Sequence, residues 1–283
     1  MRHKFPFIVT VFCPVILATA LAWADGVENL TIATFCALIA VLLCCGYYMT
    51  HFYYYYRDKY IDPNNSTVSL ILLKSVQNKH MIYWPVLFFI IAIFLSIPLI
   101  LRSGWMTVLA LALIIGFTIM GSFGKHRRHL HKFLDVLCLF GIGPLTICSI
   151  YYVQSYEMNL AIALAGLGYG FLCSCLFVIL NLRNYEQDQL HHRHTLVVRF
   201  GKNFGRMQFM FFIGIASALP IIIYAMIQDH QYILFCSLIH LAAIPTIKNI
   251  LTAESQQAYN APLFSMGLLI LIYTALFSLG WIL

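Results

Sequence analysis

Nine apolar stretches follow one another along the chain, at about residues 5–24, 30–50, 82–100, 105–122, 134–152, 159–181, 207–227, 231–247 and 262–282. Each approaches the roughly 20 residues that a helix needs to cross a hydrocarbon layer of about 30 Å. Lipid offers no water to backbone polar groups, so a crossing segment must be a helix or a strand of a closed barrel. These stretches are too long and too continuous for barrel strands of about 10 residues. The expected fold is all-α and polytopic, with about nine transmembrane helices in a single membrane domain over residues 1–283. Hydrophobic residues make up 61% of the chain and charged ones 10%, with a mean hydropathy of +0.84, which leaves too few ionisable groups to cover a water-soluble domain.

Arg2 and Lys4 before the first stretch, and Leu21-Ala22-Trp23-Ala24-Asp25 at its end, give it the outline of a secretory signal. Eight more spans follow, and removing the first would strip a wall from the bundle, so it is read as retained. With nine spans and the N-terminus inside, sixteen of the seventeen Lys and Arg fall in inner segments and Arg102 alone falls outside. That asymmetry fits the positive-inside rule. It sets the N-terminus and polar site on the cytoplasmic side, among membrane lipids, and a bacterial cytoplasmic (inner) membrane is the expected location. The net charge of +7 then needs no nucleic-acid partner. The nine cysteines lie in the apolar stretches, and neither Cys44-Cys45 nor Cys173-Ser174-Cys175 has the polar company of a metal or redox site.

Polar groups concentrate in two inner segments, 51–65 and 181–195. If the second helix runs on past residue 50, Asp58 and Asp62 fall at i and i+4 on one face, and Asn184 and Asp188 have the same spacing after the sixth span. Two oxygen-bearing pairs at the inner ends of two helices suit a hard divalent cation. A magnesium-bound diphosphate would relieve their mutual repulsion, with Arg183, Arg193 or a nearby Lys neutralising the remaining charge. The alternative is a set of interfacial charges bonded to headgroups or to one another. Tyr53 to Tyr56 read either as an interfacial aromatic belt or as the lining of a substrate pocket. The His-rich stretches 129–131 and 191–194 raise a transition-metal site, although contact with headgroups or phosphate is more economical.

The motifs carry the reading further. Asn181, Arg183 and Asp188, followed by Thr195, Leu196, Val198, Arg199 and Gly201, match an Asn-x-Arg-Asp-x-x-x-Asp core and its Thr-Leu-Ala-Val-Arg-x-Gly tail. Asn184 replaces the first Asp of that core, Val197 replaces Ala, and His192-Arg193 replace a Gly-Lys pair. Residues 136–140 leading to Gly143-Pro144-Leu145 and Tyr151-Tyr152-Val153-Gln154 match a further stretch, with Asp135 in place of Glu. On these residues the chain resembles the UbiA superfamily of membrane prenyltransferases, within it the 1,4-dihydroxy-2-naphthoate polyprenyltransferase branch of menaquinone biosynthesis. The superfamily's first motif, Asn-Asp-x-x-Asp-x-x-x-Asp, is matched only at Asp58 and Asp62, with Tyr54 and Tyr55 in its first two positions.

The resemblance implies transfer of a prenyl group from a prenyl diphosphate to a small aromatic acceptor, naphthoate-like or another quinone precursor. It implies Mg2+ held by Asp58, Asp62, Asn184 and Asp188, with Asn181 as a further oxygen contact. Diphosphate would be held by Arg183, Arg193, Lys125, Arg127 and Arg128. His51 or a nearby Tyr would orient a phenolic acceptor. The changed first motif keeps two other readings open: a prenyltransferase with a specialised-metabolite acceptor, or a non-catalytic protein that binds an isoprenoid or a diphosphate. A small-solute transporter is disfavoured, because no pair of broken helices is visible and the polar groups gather at the inner face.

Overall fold

The computed structural model describes residues 5–27, 29–61, 83–123, 139–190 and 195–283, and describes the side chains there except at residues 5, 51–61 and 121–123. All regular structure among them is helical: α1 (Phe5–Ala24), α2 (Leu30–Ile61), α3 (Tyr83–Ser103), α4 (Trp105–Phe123), a π-helical turn (Gly141–Leu145) running into α5 (Thr146–Ser155), and α6 (Leu160–Arg183). Then come α7 (Tyr185–Leu190), α8 (Leu196–Phe200), α9 (Lys202–Ile227), a 3₁₀ segment (Gln231–Leu238), α10 (Ile239–Ala242), α11 (Ile244–Thr252), a 3₁₀ turn (Gln256–Tyr259) and α12 (Asn260–Ile282).

Seven of these segments are long and apolar enough to cross a membrane, and the chain is an integral membrane protein. The expectation of nine long spans is met by seven segments among the described residues and is corrected at one place. Helix α4 itself runs for 19 residues, Trp105–Phe123, with its side chains described to residue 120. The stretch 134–152 is described from residue 139, and it is bent at Gly143, whose ψ of −105° is non-helical, next to Pro144, which has no N–H to donate.

Local chemistry sets most boundaries. Asn29 Oδ1 accepts from Ile32 N–H at 3.2 Å, Asn159 Oδ1 from Ala161 N–H at 3.0 Å, and Thr195 Oγ1 from Val198 N–H at 3.2 Å, so three helices begin on side-chain caps. Tyr156 and Gln228 close α5 and α9 in the left-handed region. Gly201, at φ +92°, turns the chain from α8 into α9.

Helix α6 is the hub, packed against α9, α12, α5 and the π-helical turn. Its contact with that turn depends on the absence of side chains. A Cβ on Gly143 would stand 2.5 Å from the Gly166 carbonyl oxygen, and one on Gly170 2.3 Å from the Leu139 carbonyl oxygen. Gly166 and Gly170 are four residues apart on α6, the small-xxx-small spacing that lets membrane helices touch backbone to backbone. The outer surface is as apolar as the core: Ile8, Phe12 and Ile16 of α1 point outward while Cys13, Leu17 and Leu21 point in. Lipid accepts such a surface and water does not.

Candidate active site: a dry cavity leading to two polar helix ends

A cavity of about 300 Å³ lies inside the bundle, walled by α1, α2, α3, α4, the π-helical turn with α5, and Phe177 of α6. Five of its hydroxyls are turned to carbonyls of their own segments. Thr10 donates to the Phe7 carbonyl at 2.8 Å, Ser96 to Ile93 at 2.6 Å, Thr118 to Ile114 at 2.7 Å and Thr146 to Gly141 at 2.7 Å, and Ser149 donates to the Leu145 carbonyl. Among the described residues no charged side chain lines it. With those donors spent, the wall meets an occupant as an almost apolar surface.

Helices α2, α4 and α6 finish at one end of the bundle, the site end. Beside the opposite end of the cavity, hydrogen bonds tie neighbouring helices together. Ser103 and Thr107 hydroxyls meet at 2.7 Å, Tyr151 donates to Asp25 Oδ2 at 2.5 Å, and Gln154 Nε2 donates to Thr19 Oγ1 at 3.4 Å. The stretch Tyr151 to Gln154, singled out in the sequence, therefore does two jobs: Tyr151 and Gln154 make ties to α1, and Val153 lines the cavity.

Toward the site end the wall becomes aromatic, at Tyr47, Tyr48, Phe117 and Phe177. Asp58 lies eleven residues beyond Tyr47 on α2, and Asp188 eleven beyond Phe177. Eleven residues at 3.6 per turn return to within about 20° of the starting direction. On the α6 side two helix-spaced hydrogen bonds continue past the end of the helix, Asn184 N–H donating to the Leu180 carbonyl at 3.0 Å and Asp188 N–H to the Asn184 carbonyl at 2.8 Å, while Asn184 itself leaves helical geometry at φ −94° and ψ 6°. Asn181 and Asn184 thus stand near the Phe177 line, and Asp188 follows one turn beyond Asn184. Asp188 is only 5% exposed, and Asn181 and Asn184 are half-buried.

Arg183 lies off that line by about 120°. Its Nε reaches back to donate to Asn184 Oδ1 at 3.3 Å. A buried carboxylate one turn from an amide oxygen suits a hard cation, because that oxygen accepts Arg183 on one lone pair and keeps a second for a metal. Asp58 is described in its backbone alone, while Asp62, Lys125, Arg127, Arg128, Arg193 and the His-rich stretches lie outside the described residues. Among the described residues no three His, Cys, Asp or Glu side chains come together as a metal cluster.

The tail of the second motif is structural. Thr195 caps α8, Val197 is fully buried against Gly205, and Gly201 makes the turn into α9. The Gly166-xxx-Gly170 contact was missed in the sequence, although its spacing was there to be read. The ties from α1 to Tyr151 and Gln154 had no local signal, because each joins residues more than a hundred positions apart.

Comparison with known proteins agrees with this architecture. The chain is 27% identical over 150 residues to a 1,4-dihydroxy-2-naphthoate octaprenyltransferase of Haemophilus influenzae, a match that covers 52% of this chain and 47% of that protein. The matched part thus spans about half the length of that relative. Its fold resembles a digeranylgeranylglyceryl phosphate synthase structure with a TM-score of 0.64 at 12% identity, covering 99% of this chain and 98% of the other. It also resembles a UbiA homologue from Archaeoglobus fulgidus, bound to DMAPP and Mg2+, with a TM-score of 0.60 at 14% identity, covering 100% and 99%. The UbiA prenyltransferase family itself matches across residues 11–269, and the chain belongs to that family.

Proposed function

We propose that this protein transfers a prenyl group, with Mg2+, from a prenyl diphosphate to an acceptor that enters from the membrane. The observation that carries this reading is the dry cavity whose walls on α2 and α6 lead, three turns on, to Asp58 and Asp188. The prenyl chain occupies the cavity, and the diphosphate sits at the site end. Asp188 and Asn184, with Asp58 and Asp62, hold the metal, and Asn181 adds an oxygen contact. Bound Mg2+ supplies positive charge to the diphosphate as negative charge develops on the bridging oxygen. Arg193, Lys125, Arg127 and Arg128 are the cations proposed for the phosphate oxygens, and Arg183 orients Asn184. The apolar wall keeps water from the allylic cation, while Tyr47 and Phe177 offer it aromatic faces. The carbon–oxygen bond to diphosphate breaks, the acceptor's nucleophilic atom bonds the prenyl carbon and gives up a proton, and diphosphate takes up that proton and leaves toward the site end. The nine-crossing expectation from the sequence, which sets sixteen of the seventeen Lys and Arg on one side, is the support for placing that end in the cytoplasm.

A naphthoate-like aromatic acceptor draws support from the name of the Haemophilus influenzae relative. An acceptor outside the quinone precursors is backed better, because the synthase that resembles the chain over 99% of its length is named for a glyceryl phosphate product. A second reading, a binder of isoprenoid or diphosphate without catalysis, is favoured by Tyr54 and Tyr55 in the first motif. Diphosphate release by the purified protein in lipid separates the two. Catalysis requires release that depends on donor, Mg2+ and acceptor together, and saturable donor binding without release supports the binder.

A further inference from the structure

A second, smaller cavity of about 210 Å³ opens at the site end, between the last turn of α6 and the 3₁₀ turn before α12. Among the described residues it is lined by four polar ones, Arg183, Gln256, Gln257 and Asn260, whose stems add apolar surface to it. It shares no residue with the 300 Å³ cavity. Arg183 reaches it because it stands about 120° round α6 from the line of Phe177 and Asn184. The guanidinium is half-buried, and its one hydrogen bond to a described residue uses Nε. It forms no ion pair with a described residue, in contrast to Lys202, which meets Glu186 at 3.3 Å. A partly desolvated cation at the mouth of a membrane span is costly without a counter-charge.

The chemistry of the lining selects the ligand. Beyond Nε the guanidinium has four N–H donors in a fixed fork, which matches a pair of oxygens on one anion. The three amides add neutral donors and acceptors around it. One cation among neutral amides balances a single negative charge, the charge of a phosphodiester. The volume lies below the range of about 300–1,000 Å³ typical of drug-sized ligands. We propose that this pocket binds a phosphate oxyanion at the membrane interface, either from a lipid headgroup or free in solution. An anion held there also fixes the guanidinium whose Nε orients Asn184, so the pocket is linked to the second motif through one side chain. The inference stands apart from prenyl transfer and holds for a catalytic or a non-catalytic protein.

The test uses the full chain in dodecyl maltoside micelles, which carry no phosphate, with two probes: inorganic phosphate in the buffer, and phosphatidylglycerol added to the micelles. Thermal unfolding is followed for the wild type and for Arg183→Gln, Gln256→Leu and Asn260→Leu, with helicity as the check on folding. At least one probe should raise the unfolding temperature saturably. Its apparent Kd should weaken at least tenfold in Arg183→Gln and severalfold in Asn260→Leu. A pocket-dependent response to phosphatidylglycerol alone identifies the headgroup, and one to inorganic phosphate alone identifies the free anion. Responses to both support a site open to either source. The proposal is overturned if neither probe shifts the wild type, or if the shift is the same in all folded variants.

Discussion

Arg183 Nε donates to Asn184 Oδ1 at 3.3 Å, so the amide that stands where the resembled motif has a carboxylate is held by its own neighbour. A neutral oxygen in that hydrogen bond keeps one lone pair for a metal and brings no charge to it. Restoring the carboxylate by Asn184→Asp adds a charge to the proposed Mg2+ shell, worth about 1 kcal/mol or more at an effective dielectric between water and protein. Half-saturating Mg2+ for turnover is expected to fall by about fivefold, read from a magnesium titration at fixed donor. An unchanged midpoint would remove Asn184 from the metal shell.

Asp188 is a buried carboxylate, 5% exposed, one turn beyond Asn184. Asp188→Asn keeps the shape and removes the charge. By analogy with other groups that stabilise developing charge, it should cost about 3–4 kcal/mol, or roughly 100- to 1,000-fold in rate. Circular dichroism should show the helices intact. Near-normal turnover in a folded Asp188→Asn protein would exclude a catalytic role for this carboxylate.

The touching backbones of α6 and the π-helical turn give a prediction about stability. Gly170→Val places carbon where the Leu139 carbonyl oxygen already sits, at 2.3 Å, and backbone on both sides leaves no flexible side chain to yield. A loss of about 3 kcal/mol or more is expected, at or above the upper end of ordinary overpacking. Gly214→Ala on α9 is the control, because nothing lies within 4 Å of its added Cβ. It should hold or gain up to about 1 kcal/mol. Denaturation in matched detergent compares the two, and equal effects would contradict the close contact.

Tyr151→Phe removes the bond to Asp25 and leaves the buried ring in place. Asp25 is exposed and can turn to water, so the expected loss is about 1 kcal/mol. Turnover per folded molecule should remain close to wild type, because this tie lies at the far end from Asp188. A collapse of activity at unchanged stability would mean that Tyr151 acts in the chemistry.

The helical spans were legible because lipid imposes one rule on every residue it touches, and Leu30–Thr50 or Leu160–Arg183 satisfies that rule over its whole length. Breaks inside spans were only partly so. Gly143-Pro144 lies inside an apolar run, and its proline was a local signal of the bend, whereas the close approach of Gly143 to Gly166 is supplied only by the folded bundle. The 3₁₀ form of Gln231–Leu238 likewise has no signature in composition. At the site, the i,i+4 spacing of Asn184 and Asp188 is joined by one backbone hydrogen bond, from Asp188 N–H to the Asn184 carbonyl, across the end of α6. The position of Arg183 off the Phe177 line follows from helical geometry, but the amides that surround it come from residues 256–260, more than seventy positions along the chain. Asp62 and the basic stretch 125–128 lie outside the described residues.

The most direct test fills the cavity without touching its polar end. Ala40 lines the cavity from α2, about one turn beyond Cys36 and well short of Tyr47. Ala40→Trp would occupy space needed by a prenyl chain while leaving Asp58, Asn184 and Asp188 unchanged. The measurement is the rate of prenylated product formation, by mass, with a prenyl diphosphate, Mg2+ and an acceptor panel, for the wild type and Ala40→Trp in the same lipid. The expected result is product from the wild type, released one for one with diphosphate and absent without Mg2+, and at least a 100-fold lower kcat/KM in folded Ala40→Trp. Equal rates in the two proteins would place the prenyl chain outside this cavity and contradict the proposed site.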